Sequence, residues 1–224
     1  MLYARPRIPL FLAILFHFTG VIGILFTPYK EWFVNNTPLT LVLMGVLLAA
    51  SQERLEKGFI GFFLLAFATG MVTEIIGVNT GILFGDYNYG SVMGPKLMGV
   101  PFLIGMNWFV IVFCCGSLMQ QLNKVMLAKY DAPIPRAVIK WSVVIDGAVL
   151  ATFFDWLMEP VAIQLGFWTW EGGTIPMLNY ACWFVISAIL LAIQQQLRIK
   201  AQNHFAIHLL IIQALFFLSL RIFL

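Results

Sequence analysis

The sequence predicts an all-α, polytopic integral membrane protein with about seven transmembrane helices and a non-helical outer segment at 79–100. Three observations carry that reading. Of 224 residues, 61% are apolar, 15% aromatic and 10% charged, whereas soluble domains carry about a quarter charged residues. The mean hydropathy is +0.92. Apolar stretches also recur at lengths near the roughly 20 residues that a spanning helix needs. These values exclude a soluble enzyme, a secreted disulfide scaffold and a disordered chain. A single transmembrane domain, 1–224, is expected, with no room for a separate soluble one.

Seven apolar stretches follow in order: 8–26, 37–51, 58–78, 101–120, 138–160, 176–196 and 205–223. The first follows Arg5 and Arg7 in the manner of a signal peptide. It is longer than the usual apolar core of one, and no small-x-small site precedes Pro28, so it reads as a membrane helix. The second is short for a span.

Lys and Arg set the orientation. With seven spans, one side carries Arg5, Arg7, Arg54, Lys57, Lys124, Lys129, Arg136, Lys140, Arg198 and Lys200, against Lys30, Lys96 and Arg221 on the other. The N-terminus is then cytoplasmic and the C-terminus outside, in the cell membrane. If 37–51 does not span, the N-terminus changes side but everything after Gly58 keeps its own. The segments near 79–100 and 166–175 face outward either way. The connection at 121–137, with Asp131 and Pro133, reads as cytoplasmic.

The net charge of +3 is spread without a run or stripe, so no nucleic-acid partner is expected. Cys114, Cys115 and Cys182 form no CxxC and read as small core residues. His17 reads as a packing residue. His204 and His208 share a helix face without a third ligand, so no metal site is expected.

The informative residues are acids at bilayer depth, each costly unless paired or facing a cavity. Glu74, Asp146, Asp155 and Glu159 lie inside spans. Helix rise puts both Glu74 and Asp155 roughly 25 Å from the inner surface. Asp155 and Glu159, four residues apart, share one helix face. Three carboxyl groups therefore meet near one outer level, whereas Asp146 lies on the opposite face, about 13 Å deeper. Pro160 frees the carbonyl of Trp156 and kinks or ends its helix.

The outer segments supply the rest. Asn79 to Pro101 contains Asp86-Tyr87-Asn88-Tyr89 among five glycines and is too apolar for a solvated loop. A cap-like segment buried against protein is expected. Gly166-Phe167-Trp168-Thr169-Trp170 forms the second outer segment, followed by Pro176, Asn179, Tyr180 and Trp183. Asn107 and Trp108 begin the next helix nearby.

No GxSxG or HExxH motif occurs, and no Lys lies on the last stretch to hold a retinal. A carboxyl cluster lined by Trp and Tyr suits proton chemistry on an apolar molecule. A neutral carboxyl donates a proton to an alkene, aromatic faces stabilise the cation by up to about 2 kcal/mol each, and a carboxylate takes a proton from water. Hydration, isomerisation and cyclisation of a polyene all fit, as does a proton-coupled transporter.

Thr73-Glu74-Ile75-Ile76-Gly77, Phe84-Gly85-Asp86-Tyr87-Asn88-Tyr89 and Gly99-Val100-Pro101 resemble the carotenoid biosynthesis membrane proteins of the CruF type. So do Asp155-Trp156-Leu157-Met158-Glu159-Pro160, Phe167-Trp168-Thr169-Trp170 and Ile175-Pro176 with Asn179-Tyr180 and Trp183. The resemblance runs from Glu74 to Trp183 in matching order. It departs at Glu171-Gly172-Gly173-Thr174, a shorter turn, and at Ala181-Cys182, where a glycine often precedes the Trp.

Characterised relatives of that type are carotenoid 1,2-hydratases, which add water to the terminal double bond of an acyclic ψ-end group without a cofactor. The resemblance thus implies an acyclic or monocyclic carotenoid and water as partners within the lipid bilayer, with other carotenoid pathway enzymes as possible neighbours. The carboxyl cluster read from depth supplies Glu74, Asp155 and Glu159 as the acid/base set, with Asp155 favoured as the acid and Glu74 as the base. Asp86, Tyr87, Asn88, Trp108, Trp156, Trp168, Trp170, Asn179 and Tyr180 would contact or orient the substrate. Two alternatives stay open: a proton-coupled transporter and a non-catalytic carotenoid-binding protein. A prenyl transferase would need a second acidic motif beside Asp155-x3-Glu159.

Overall fold

A computed structural model describes residues 7–129, 135–197, 199 and 204–224. Arg5, Asp131, Pro133, Arg198 and Lys200 of the charge pattern lie outside the described residues. Among the described residues there are eight α-helices: α1 (Arg7–Phe26), α2 (Lys30–Asn35), α3 (Thr37–Ala50), α4 (Lys57–Thr80), α5 (Phe102–Lys129), α6 (Arg136–Gln164), α7 (Met177–Gln196) and α8 (Phe205–Phe223). Six of them (α1, α4, α5, α6, α7 and α8) are long and apolar enough to cross a membrane. The protein is an all-α polytopic membrane protein.

The stretch at 37–51 becomes α3, a helix of 14 residues. At 1.5 Å per residue it covers roughly 21 Å, short of the ~30 Å hydrocarbon core. Trp32, Phe33 and Asn36 border the same chamber as Met93, Phe167 and Trp168 of the outer segments. At the other end of the molecule, Gly58 lies beside Leu197 and Ile199. Helix α3 is a shorter apolar helix than the six long ones.

Helix α5 is the central element. Every residue from Trp108 to Ser117 is buried, the pattern of a helix enclosed on all sides. Close packing against α4 depends on Gly70, where a Cβ would lie 2.6 Å from Cδ1 of Trp108. Small residues at such crossings let helices approach where lipid supplies no hydrophobic drive.

The outer segments are not helical. Gly81, at φ 68°, ends α4 with its N–H on the Gly77 carbonyl, 2.8 Å away. Three residues, β1 (Tyr87–Tyr89), then pair antiparallel with β4 (Trp168–Trp170), opposing Tyr87 to Trp170 and Tyr89 to Trp168. A smaller hairpin joins β2 (Lys96–Leu97) to β3 (Val100–Pro101). The segment between α4 and α5 is thus a strand-bearing cap.

Pro160 does not end its helix, since α6 continues to Gln164 with the proline inside. The missing N–H leaves the Trp156 carbonyl free, as expected, and Arg221 takes it. Nη1 of Arg221 donates to that oxygen at 2.7 Å, with its guanidinium 3.7 Å from the Trp156 ring centroid. Arg221→Met should therefore destabilise the protein by about 1 kcal/mol, read as a lower melting temperature in detergent. In a Pro160→Ala background the loss should shrink, because the alanine restores an N–H for the same carbonyl.

Candidate active site

Glu74, Asp155 and Glu159 are 4%, 1% and 2% exposed, and all three line one small cavity beneath the cap. Helix α4 supplies Glu74 and α6 supplies the other two, one helical turn apart. Buried carboxyl groups need partners, and each has them.

Glu74 receives three hydrogen bonds. Trp108 Nε1 donates to Oε1 at 2.9 Å, Tyr89 donates to Oε2 at 2.7 Å, and the Tyr87 hydroxyl donates to the same oxygen. Burial, then the adjacent Glu74, raise both tyrosine hydroxyls well above the ordinary phenol range, so they remain O–H donors. Glu159 Oε2 accepts from Trp168 Nε1 at 2.9 Å and Trp170 Nε1 at 2.8 Å. Asn179 Nδ2 bridges the α6 pair, 2.7 Å from Asp155 Oδ2 and 3.4 Å from Glu159 Oε1. Asp155 thus receives one donor where Glu74 receives three.

Strand pairing makes this arrangement. A strand alternates its faces, so Tyr87 and Tyr89 point inward beside Trp170 and Trp168, with ring centroids 4.9 and 5.9 Å apart. Trp108 is fixed by stacking on Trp183 at 3.8 Å and 9°. Phe84, which also lines the cavity, is held at φ 65°, a costly conformation that tends to gather at functional sites. Its N–H points at the Cys182 sulfur, 3.4 Å away.

Of the residues expected at the site, Glu74, Tyr87, Trp108, Asp155, Glu159, Trp168, Trp170 and Asn179 line the cavity. Asn88, Asp86, Trp156 and Tyr180 do not. Asn88 is exposed, on the opposite face of β1 from Tyr87 and Tyr89. Asp86 is exposed, and its carbonyl accepts the Glu171 N–H at 2.9 Å, extending the β1–β4 ladder. Trp156 is 43% exposed, turned outward to Phe153 and Arg221. It follows Asp155 by a single helical step of about 100°. Tyr180 is likewise one step round α7 from Asn179. Asp146 sits apart, exposed and bonded to Ser142 Oγ at 2.7 Å. Tyr89, Phe84, Ile104, Asn107, Met158 and Trp183 lie outside the expected set, and they complete the wall. Alternation along Tyr87-Asn88-Tyr89 is the signal that points to Tyr89.

The cavity volume is about 20 Å³, enough for one water molecule, which needs about 10–15 Å³. Among the described residues no three of His, Cys, Asp and Glu stand together as metal ligands. The groups around each carboxyl are N–H and O–H donors aimed at its oxygens, and they occupy lone pairs that a bound cation would need. What the arrangement can do is hold a water among acids and pass protons.

Residues 36–224 match the family described as carotenoid biosynthesis protein. The chain belongs to this family. A bisanhydrobacterioruberin hydratase of Haloarcula japonica is 27% identical over 120 residues, 52% of this chain and 38% of that protein. The chain thus matches well under half the length of that relative. No solved structure matches. Every cavity-lining residue lies within the family match.

Proposed function

We propose that this member of the carotenoid biosynthesis family is an enzyme that adds water across the terminal double bond of an acyclic carotenoid ψ-end group. The observation that carries the reading is a water-sized cavity lined by three buried carboxyl groups and roofed by aromatic rings. The hydratase of Haloarcula japonica supports the same reaction class.

Donor counting divides the roles. Asp155, with one donor, is the group best suited to carry the proton. Glu74, held by three donors, is suited to the ionised form that accepts one. The Asp155 proton passes to the inner alkene carbon, which carries the hydrogen, and the bond electrons leave a tertiary cation on the terminal carbon bearing two methyl groups. Rings of Tyr87, Trp168 and Trp170 face that charge. Water in the cavity forms the new C–O bond and gives one proton to Glu74. Transfer of that proton back to Asp155 through the next water to enter the cavity restores the enzyme, so the net change is addition of one water. Glu159 and Asn179 hold Asp155 in place. The cap faces the outer side of the cell membrane in this reading, following the Lys/Arg asymmetry.

Expression in a lycopene-producing bacterium, followed by pigment chromatography and mass analysis, tests the reaction. A product heavier by one water, formed only with the intact gene, is expected. Unchanged lycopene and other ψ-end pigments would sink the hydratase reading. Proton or solute uptake by liposomes containing the protein would instead support a transporter.

A further inference from the structure

A second, larger cavity of about 390 Å³ lies beside the carboxyl site, within the roughly 300–1,000 Å³ typical of small-molecule pockets. Its walls come from α1, α2, α3 and α8, together with α5, α6 and the cap. Ile104, Asn107, Met158 and Trp168 border both cavities. They form the wall between a small polar compartment and a large apolar one. Among the described residues no Asp, Glu, Lys or Arg lines the larger space.

We infer that this chamber holds the extended chain of a linear conjugated polyene, whose reacting terminus reaches the carboxyl cavity between Ile104, Asn107, Met158 and Trp168. The inference deepens the hydratase reading and rests on it. Three observations support this occupant. Phe16, Trp32, Phe33, Phe167, Phe216 and Phe217 supply aromatic surface for a flat, rigid chain. Phe16, Trp32 and Leu39 are 41%, 61% and 67% exposed, so the chamber opens on the lipid-facing side of α1–α3, where an insoluble polyene resides. The third is chemical division: a hydrocarbon chain satisfies a chamber without acids or strong bases, while its terminal alkene meets the Asn107 amide in the shared wall and then the acids beyond. A small polar solute would leave most of the chamber wall without a matching surface.

The chamber also explains how a cavity sized for one water could act on a long molecule. Only the terminal alkene needs to reach the shared wall, where it meets the water held in the carboxyl cavity.

The test uses purified protein in nanodiscs with lycopene as the probe, reading retained pigment and product separately. Thr40→Trp on α3 and Thr19→Trp on α1 fill the chamber from two walls. Val46→Trp, which faces outward from α3 at 55% exposure, is the control. Loss of pigment retention by roughly tenfold or more in both fillers, with Val46→Trp and Asp155→Asn retaining it, is the expected result. Wild-type retention and turnover in both fillers would overturn the chamber while leaving the hydratase reading intact. Pigment lost in the fillers but never hydrated by the wild type would support the chamber and refute hydration. A gentler substitution guards against misfolding. In Thr40→Cys, lycopene should slow maleimide labelling by roughly tenfold, against a background of three native cysteines that are all buried. Labelling at the same rate with and without lycopene would overturn the proposal.

Discussion

Asp155→Asn lowers the rate of hydration by roughly 10²–10⁴-fold, measured as hydrated pigment formed per mole of purified protein. The substitution keeps the size of the side chain, and its carboxamide oxygen can still accept from Asn179 Nδ2, which lies 2.7 Å from Asp155 Oδ2. What it removes is an ionisable proton at the cavity wall. The melting temperature should stay near that of the wild type, because the Asn179 donor keeps its acceptor. Glu74→Gln should lose activity on the same scale through the base rather than the acid. Its amide can offer oxygen to Trp108 and nitrogen to the two tyrosine hydroxyls, which accept as well as donate. Hydration at the wild-type rate in Asp155→Asn would remove that residue from the acid role.

Gly90→Ala has the largest expected effect on the cap. The Gly90 N–H donates to the Phe167 carbonyl at 2.8 Å, and a Cβ at position 90 would collide with the backbone oxygen of Gly166. A side chain could rotate away from such a contact, but a backbone carbonyl in a paired segment cannot. The substitution should cost about 3 kcal/mol, the upper end of overpacking penalties. That cost falls on the pairing of β1 with β4. Four of the five ring donors to Glu74 and Glu159 come from those two strands, so closed sites should fall roughly a hundredfold. The result should appear as lost hydration together with a lower melting temperature. Gly61→Ala on α4, where an added Cβ meets nothing within 4 Å, should leave both unchanged or raise stability slightly.

The helices are legible in the sequence because hydropathy is a local property. The apolar stretch at 205–223 forms α8 over those same residues, while α5 and α6 extend beyond their apolar stretches into polar ends. Convergence of Glu74, Asp155 and Glu159 is legible for a different reason. Helix rise converts sequence position into depth, and acids retained at one depth in a lipid-facing chain require one another or a cavity. Periodicity also separates Asp146 from the cluster.

Contacts between segments far apart in the chain are less accessible. Pairing of Tyr87–Tyr89 with Trp168–Trp170 joins residues about 80 positions apart, and no local pattern fixes such a register. Trp108 and Glu74 likewise meet only because Gly70 lets α5 approach α4. Trp156 and Asn88 fall outside the site although the information to place them is local. Each follows a cavity-lining residue by one position, which turns a helix by about 100° and reverses a strand face. The larger chamber needs α1, α3 and α8 in one place, and their sequences carry no motif for it.

Isotope labelling tests the central claim most directly. Purified protein in nanodiscs is incubated with lycopene in water enriched in heavy oxygen, under ordinary oxygen gas, and the pigment is analysed by mass. Water as the nucleophile predicts a tertiary alcohol carrying the heavy oxygen, formed by the wild type and lost in Asp155→Asn. A hydroxylated product whose oxygen comes from the gas, or is equally abundant in Asp155→Asn, would contradict acid-catalysed hydration at this site.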